Sequence, residues 1–252
     1  MSRAHYQNEV IWIIGASSGI GAALARELSA RGATLALSAR RREALESLKE
    51  SLGAHHKLFV LDVADAELVS RTAQAIRAAF GRIDRIIFLA AAYTPMKLGE
   101  LDLAVTRQML DTNLLGAFHV AHAALPLLKE RGVGQLALCG SVAGYIGLPG
   151  GQPYSATKAG VINLAESLRA ELPKGIDVKL ISPGFVRSEL TDKNNFQMPC
   201  IISAEEAALH IADGLLGKNF EVHFPRRFTW WLKLLRLLPY GLALRIVRMF
   251  KQ

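Results

Sequence analysis

Short apolar runs alternate with amphipathic stretches almost from the first residues of this chain. Val10-Ile11-Trp12-Ile13-Ile14 is apolar at every position and stops at Gly15. A strand that is apolar throughout, rather than at every second position, is buried on both faces. The same reading predicts strands over Thr34–Ser38, Lys57–Leu61, Arg85–Ala90, Gln135–Cys139, Asp177–Ile181 and Phe220–Phe224. Helical periodicity between them predicts helices over Ile20–Ala30, Arg42–Leu52, Ala64–Phe80, Leu101–Lys129 and Tyr154–Glu171, with another starting near Ser203. Gly32 stands where the first of these should stop. Strand–helix units repeated in this way fold as α/β, a doubly wound parallel sheet between two layers of helices.

No linker, repeat or low-complexity stretch divides residues 1–225, so they are expected to form one domain. Residues 226–252 differ. They hold seven basic residues (Arg226, Arg227, Lys233, Arg236, Arg245, Arg248, Lys251) and no acid. The net charge of +8 is therefore the tail's, because setting these seven aside leaves 23 basic against 22 acidic residues. That distribution, with no nucleic-acid-binding motif, argues against a nucleic-acid partner. Cys139 and Cys200 are too few for a disulfide framework, and the polar start Met1–Asn8 has no signal-peptide pattern, so a cytoplasmic location is expected.

Between the first strand and first helix stands Gly15-Ala16-Ser17-Ser18-Gly19-Ile20-Gly21. Small residues there let backbone approach a pyrophosphate, and a helix N-terminus offers N–H donors and the favourable end of its dipole. At the end of the second strand, Ala39-Arg40-Arg41-Arg42 carries no acid. An acid would accept from the ribose hydroxyls of NAD and repel the extra phosphate of NADP. Arg40 instead suits a 2′-phosphate, so NADP(H) is expected over NAD(H). Arg42 reads as part of the solvated N-terminal turn of the next helix. Downstream, Tyr154 and Lys158 are spaced i, i+4 and share a helix face, where a lysine cation would favour tyrosinate.

These elements, with Asn113, Ser141 and Ser182-Pro183-Gly184-Phe185-Val186 in order, resemble the short-chain dehydrogenase/reductase family over roughly residues 9–224. The resemblance implies a Rossmann-type single domain that interconverts a carbonyl and a secondary alcohol. It implies that Tyr154 is the proton donor and acceptor and that Ser141 holds the substrate oxygen. Lys158 would grip the nicotinamide ribose, and Asn113 would hold a relay water or simply kink its helix. Asp62 and Val63 would flank the adenine, Ala90 would line the cofactor, and Pro183, Gly184, Val186 and Ser188 would meet the nicotinamide end. Two departures stand out. Phe88-Leu89-Ala90-Ala91 replaces the family's Asn-Asn-Ala-Gly element, and Ile14 replaces a common threonine.

The apolar residues Leu190, Phe196, Met198, Pro199, Ile201 and Ile202, with Tyr93, Met96, Leu148, Pro149 and Phe185 nearby, fit a lid over a lipophilic carbonyl substrate or anchors of a loop. His119 and His122 are spaced i, i+3 without a third ligand, so no metal is expected. The faces of Leu101–Lys129 and Tyr154–Glu171 imply, by resemblance, a homodimer or homotetramer. The tail predicts two short amphipathic helices broken at Pro239, suited to a peripheral membrane surface or a neighbouring subunit. A dinucleotide-binding sensor without catalysis, or a membrane-recruited scaffold, is the competing functional class.

Overall fold

The computed structural model describes residues 5–249, so Phe250 and Lys251 of the basic tail and the first four residues lie outside it. Seven strands, β1 (Val10–Ile14), β2 (Thr34–Ala39), β3 (Lys57–Val60), β4 (Arg85–Phe88), β5 (Gly134–Cys139), β6 (Ile176–Pro183) and β7 (Glu221–Phe224), form one sheet. Their order is β3-β2-β1-β4-β5-β6-β7, and every pairing is parallel. The chain therefore winds outward in one direction from β1 to β3, then returns to β4 and winds the other way. Between β1 and β4 lies the topological switch point, where the connections diverge and leave a crevice.

Alternation along each strand builds the two outer layers. Trp12 and Ile14 of β1 join one buried cluster, while Ile11 and Ile13 join the other. The first cluster takes in α3 (Ala66–Phe80), α5 (Gly116–Arg131) and α6 (Gln152–Glu171). The second takes in α1 (Gly19–Ala30), α2 (Arg42–Leu52) and α7 (Ala204–Leu216). Each large apolar side chain so buried contributes about 1.5–3 kcal/mol. Beneath the first crossover, buried His56 ties helix to strand. Its Nδ1 accepts from the Leu35 N–H at 3.0 Å, and its Nε2 lies 2.8 Å from the Ser29 hydroxyl of α1.

One predicted helix differs in form. Leu101–Lys129 is divided into α4 (Leu103–Met109), a wide π-helical turn over Leu110–Leu115, and α5. The physical reason is side-chain reach. From the wide turn, Asn113 accepts from the Ala92 N–H at 2.7 Å and donates to the Ala92 carbonyl at 2.9 Å, clamping the loop after β4. The tail forms two helices, α8 (Arg226–Leu237) and α9 (Tyr240–Arg248), interrupted at Pro239. Leu232 and Leu235 of α8 enter the first core cluster.

Candidate active site

A cleft of about 460 Å³ opens at the C-terminal ends of β1 and β4, where the topology predicts a ligand. Its floor at the first crossover is glycine for steric reasons. Gly15 has φ +95°, and a Cβ there would lie 2.6 Å from the Ala90 nitrogen. A Cβ on Gly21 would lie 2.0 Å from the Gly15 carbonyl oxygen. The turn can therefore fold tightly onto the loop after β4 only without side chains. Ala90 and Ala91 line the cleft there, and the clamp from Asn113 holds the neighbouring Ala92.

The start of α1 lacks the side-chain cap that several other helices carry. α3, α4 and α7 are capped by side chains of Asp65, Asp102 and Ser203. Ser18 at the start of α1 makes no such bond, and the first turn holds no acid. Its leading N–H groups are left to an anion, which is what a pyrophosphate supplies. Ser17, Ser18, Gly19 and Ile20 all line the cleft there.

Two arginines line its outer end. Arg40 is exposed and makes no ion pair among the described residues. Arg41, which sequence reasoning passed over, pairs with Glu189 at 3.1 Å and reaches the Ser17 hydroxyl at 3.4 Å. It thus bridges the glycine turn and the loop after β6. Asp62 and Val63 line the wall between them, with the Asp62 carboxylate turned to the Ala64 N–H at 3.0 Å. The Val63 carbonyl lies 2.9 Å from His119 Nδ1, which gives that histidine a structural role. Among the described residues no three potential ligands cluster as a metal site.

At the other end, Ser141, Tyr154 and Lys158 share the wall with Pro183, Gly184, Val186 and Ser188. Two contacts bring the first three together. Gly144, in the short turn that Ser141 caps, touches α6 so closely that a Cβ would lie 2.7 Å from the Lys158 carbonyl carbon. Lys158 is buried and donates to the Cys139 carbonyl at 2.8 Å. Its Nζ lies 5.6 Å from the centre of the Tyr154 ring. An ammonium has three donors, so a buried lysine with one such bond has donors left for a ligand in the cleft.

Burial pushes the Tyr154 hydroxyl well above the ordinary tyrosine value, and the neighbouring Ser141 draws it partly back. Burial likewise holds the Lys158 ammonium below its ordinary value. In the protein alone desolvation, and not the lysine expected from the i, i+4 spacing to favour tyrosinate, sets the direction for this hydroxyl. Asn113 is not in the cleft wall. Its side chain is occupied by Ala92 and by the Thr157 hydroxyl at 3.1 Å, which locks the wide turn to α6.

The expected apolar lid is only partly at the cleft. Tyr93 and Leu190 line it. Ile202 is buried and joins Val186 through backbone, with the Arg187 N–H donating to its carbonyl at 3.0 Å. Phe196 packs edge-on to Phe185 at 5.7 Å between ring centres. These two anchor the loop. The apolar wall comes instead from Val105 and Met109 of α4, which sequence reasoning missed because periodicity marks a helix without saying which face meets the cleft.

Comparison with known proteins agrees with this geometry. Residues 9–199 match the family model described as short chain dehydrogenase. The chain is 34% identical over 231 residues to an uncharacterized oxidoreductase of Myxococcus xanthus, covering 90% of this chain and 91% of that protein. It is 30% identical over 188 residues to the 3-oxoacyl-[acyl-carrier-protein] reductase of Escherichia coli, covering 74% and 77%. An alcohol dehydrogenase from Thermococcus sibiricus, solved with 5-hydroxy-NADP, superposes with a TM-score of 0.78 at 28% identity, covering 86% and 95%. The chain belongs to the short-chain dehydrogenase family and is an oxidoreductase that binds a nicotinamide dinucleotide and acts on alcohol or carbonyl groups.

Proposed function

We propose that this protein is an NADP(H)-dependent reductase of lipophilic carbonyl compounds, with Tyr154 as proton donor. The observation that carries the reading is one cleft with two kinds of end. One end joins an uncapped helix start to Arg40 and Arg41, and the other joins Ser141, Tyr154 and Lys158. When bound, the dinucleotide supplies a hydride. The protein must then supply a proton, an oxygen-binding donor and an orientation.

A tyrosine hydroxyl raised by burial stays protonated at neutral pH, so Tyr154 is ready to donate to a carbonyl oxygen as that oxygen gains negative charge. Ser141 donates to the same oxygen and polarises it. Lys158, fixed through the Cys139 carbonyl, offers its free N–H donors to ribose hydroxyls and keeps positive charge near the proton donor. Asn113 acts as a positioning residue through Thr157 and Ala92.

The arginines at the end of β2 and the lack of an acid there support NADP(H). Tyr93, Val105, Met109 and Leu190 make the substrate wall apolar, which supports a lipophilic substrate. Exposed Leu103, Leu110, Leu115 and Phe118 on α4, the wide turn and α5 support pairing with a second copy across that face. The tail supports peripheral attachment to a membrane. The direct test is NADPH oxidation in the presence of a panel of long-chain and polycyclic ketones. Turnover of at least one is expected, whereas cofactor binding without turnover of any would favour a dinucleotide-binding sensor.

A further inference from the structure

We infer that the outward face of α8 and α9 docks on an anionic lipid bilayer and opens the substrate end of the cleft toward it. The inner faces of both helices are already occupied. Thr229, Leu232 and Leu235 of α8 and Ala243 and Val247 of α9 are buried. Lys233 pairs with Glu221 of β7 at 2.5 Å, and the Thr229 hydroxyl lies 2.6 Å from His223 Nδ1. The helix is thereby fixed in rotation on the body.

What remains outward is strongly apolar. Trp230, Trp231, Leu234 and Leu237, spaced along one helix face, are 56%, 56%, 59% and 80% exposed, and Tyr240 and Met249 are 82% exposed. Soluble proteins seldom leave such side chains contiguous and uncovered. Arg226, Arg227, Arg236, Arg245 and Arg248 surround them, all exposed and none in an ion pair among the described residues.

Charge selects the occupant. A second copy seated on the same patch about a two-fold axis would set these arginines against themselves, with no acid between residues 226 and 249 to pair them. Lipid phosphates pair with arginine, and tryptophan and tyrosine favour the headgroup level of a bilayer. Among the described residues no helix is long and apolar enough to span one, so the attachment lies in the interface plane.

The surface also reaches the site. Phe228, in the first turn of α8, packs tilted against Phe185 at 5.6 Å between ring centres, and Phe185 in turn holds Phe196 of the substrate loop. A Cβ on Gly184, in the cleft wall, would lie 3.1 Å from the Phe228 ring. A docked tail therefore sets the substrate loop beside the membrane. Resting on the reductase reading, this makes the substrate class a carbonyl compound dissolved in the bilayer.

The test is co-sedimentation of the full chain with vesicles of phosphatidylcholine alone or mixed with phosphatidylglycerol, alongside NADPH binding and sedimentation equilibrium. The mixed vesicles should carry the protein down, less so at high salt. Paired changes Trp230→Ser with Trp231→Ser, or Arg245→Gln with Arg248→Gln, should each lower partition by on the order of tenfold with unchanged NADPH affinity and melting temperature. Absence from both vesicle types overturns the proposal, as does binding that neither pair of changes weakens. Conversion of a dimer to a monomer by the tryptophan changes also overturns it, in favour of a second copy. Vesicle binding without any turnover would instead refute the reductase reading and leave the docking surface standing.

Discussion

The two ends of the cleft are built by different means. At the glycine end the decisive property is space: Gly15 and Gly21 are required because a single added carbon would collide with backbone. At the catalytic end the decisive property is chemistry. Tyr154 is only partly buried, and its hydroxyl makes no bond on which the fold depends among the described residues, whereas Lys158 is a buried cation held by one carbonyl. A change at the first end should damage binding and stability together. A change at the second should separate chemistry from both.

The largest expected effect tests that separation. Tyr154→Phe should lower turnover by about 10³-fold while NADPH affinity and melting temperature stay unchanged. Steady-state kinetics beside thermal melting checks it, and a parallel loss of stability would break the distinction.

Acid should act on the scaffold under the glycine end. Burial holds His56 at about 4, below the ordinary value of 6.5, and protonation would cost the bond from the Leu35 N–H. Between those values the unfolded chain takes up a proton that the folded chain refuses. Stability from this group is therefore complete above pH 6.5 and is lost as pH falls toward 4, by about 3 kcal/mol in total. Chemical denaturation at a series of pH values should show this slope, and His56→Gln should flatten it.

Gly21→Ala should destabilise the fold by about 1–3 kcal/mol and abolish NADPH binding, because its Cβ must displace the Gly15 carbonyl. Gly147→Ala is the matched control, since a Cβ there meets nothing within 4 Å. Denaturation midpoints with calorimetric titration measure both variants. Equal behaviour of the two would contradict the steric account.

Much of this was legible in the sequence, and what was not has physical reasons. The strand runs and the glycine spacing announce the sheet and the crossover because burial on both faces and tight turns restrict composition. The wide turn over Leu110–Leu115 stayed hidden because a π-helical turn uses the same residues as an α-helix, and only Asn113's reach to Ala92 reveals it. Arg41 was hidden within a run of three arginines, since its bond to Glu189 joins positions far apart in the chain. The roles of Ile202 and Phe196 as anchors rather than lid likewise depend on contacts that periodicity does not encode. Composition marked the tail as unusual, but only the buried inner faces of α8 and α9 show which side chains are left outward.

The most direct test of the central claim is calorimetric titration of the protein with NADPH and NADH. None of its three tryptophans lines the cleft, so heat of binding is the cleaner signal. The account predicts NADPH binding tighter than NADH by on the order of tenfold, with the difference erased by Arg40→Ala. Equal or tighter binding of NADH, or no binding of either, would contradict it.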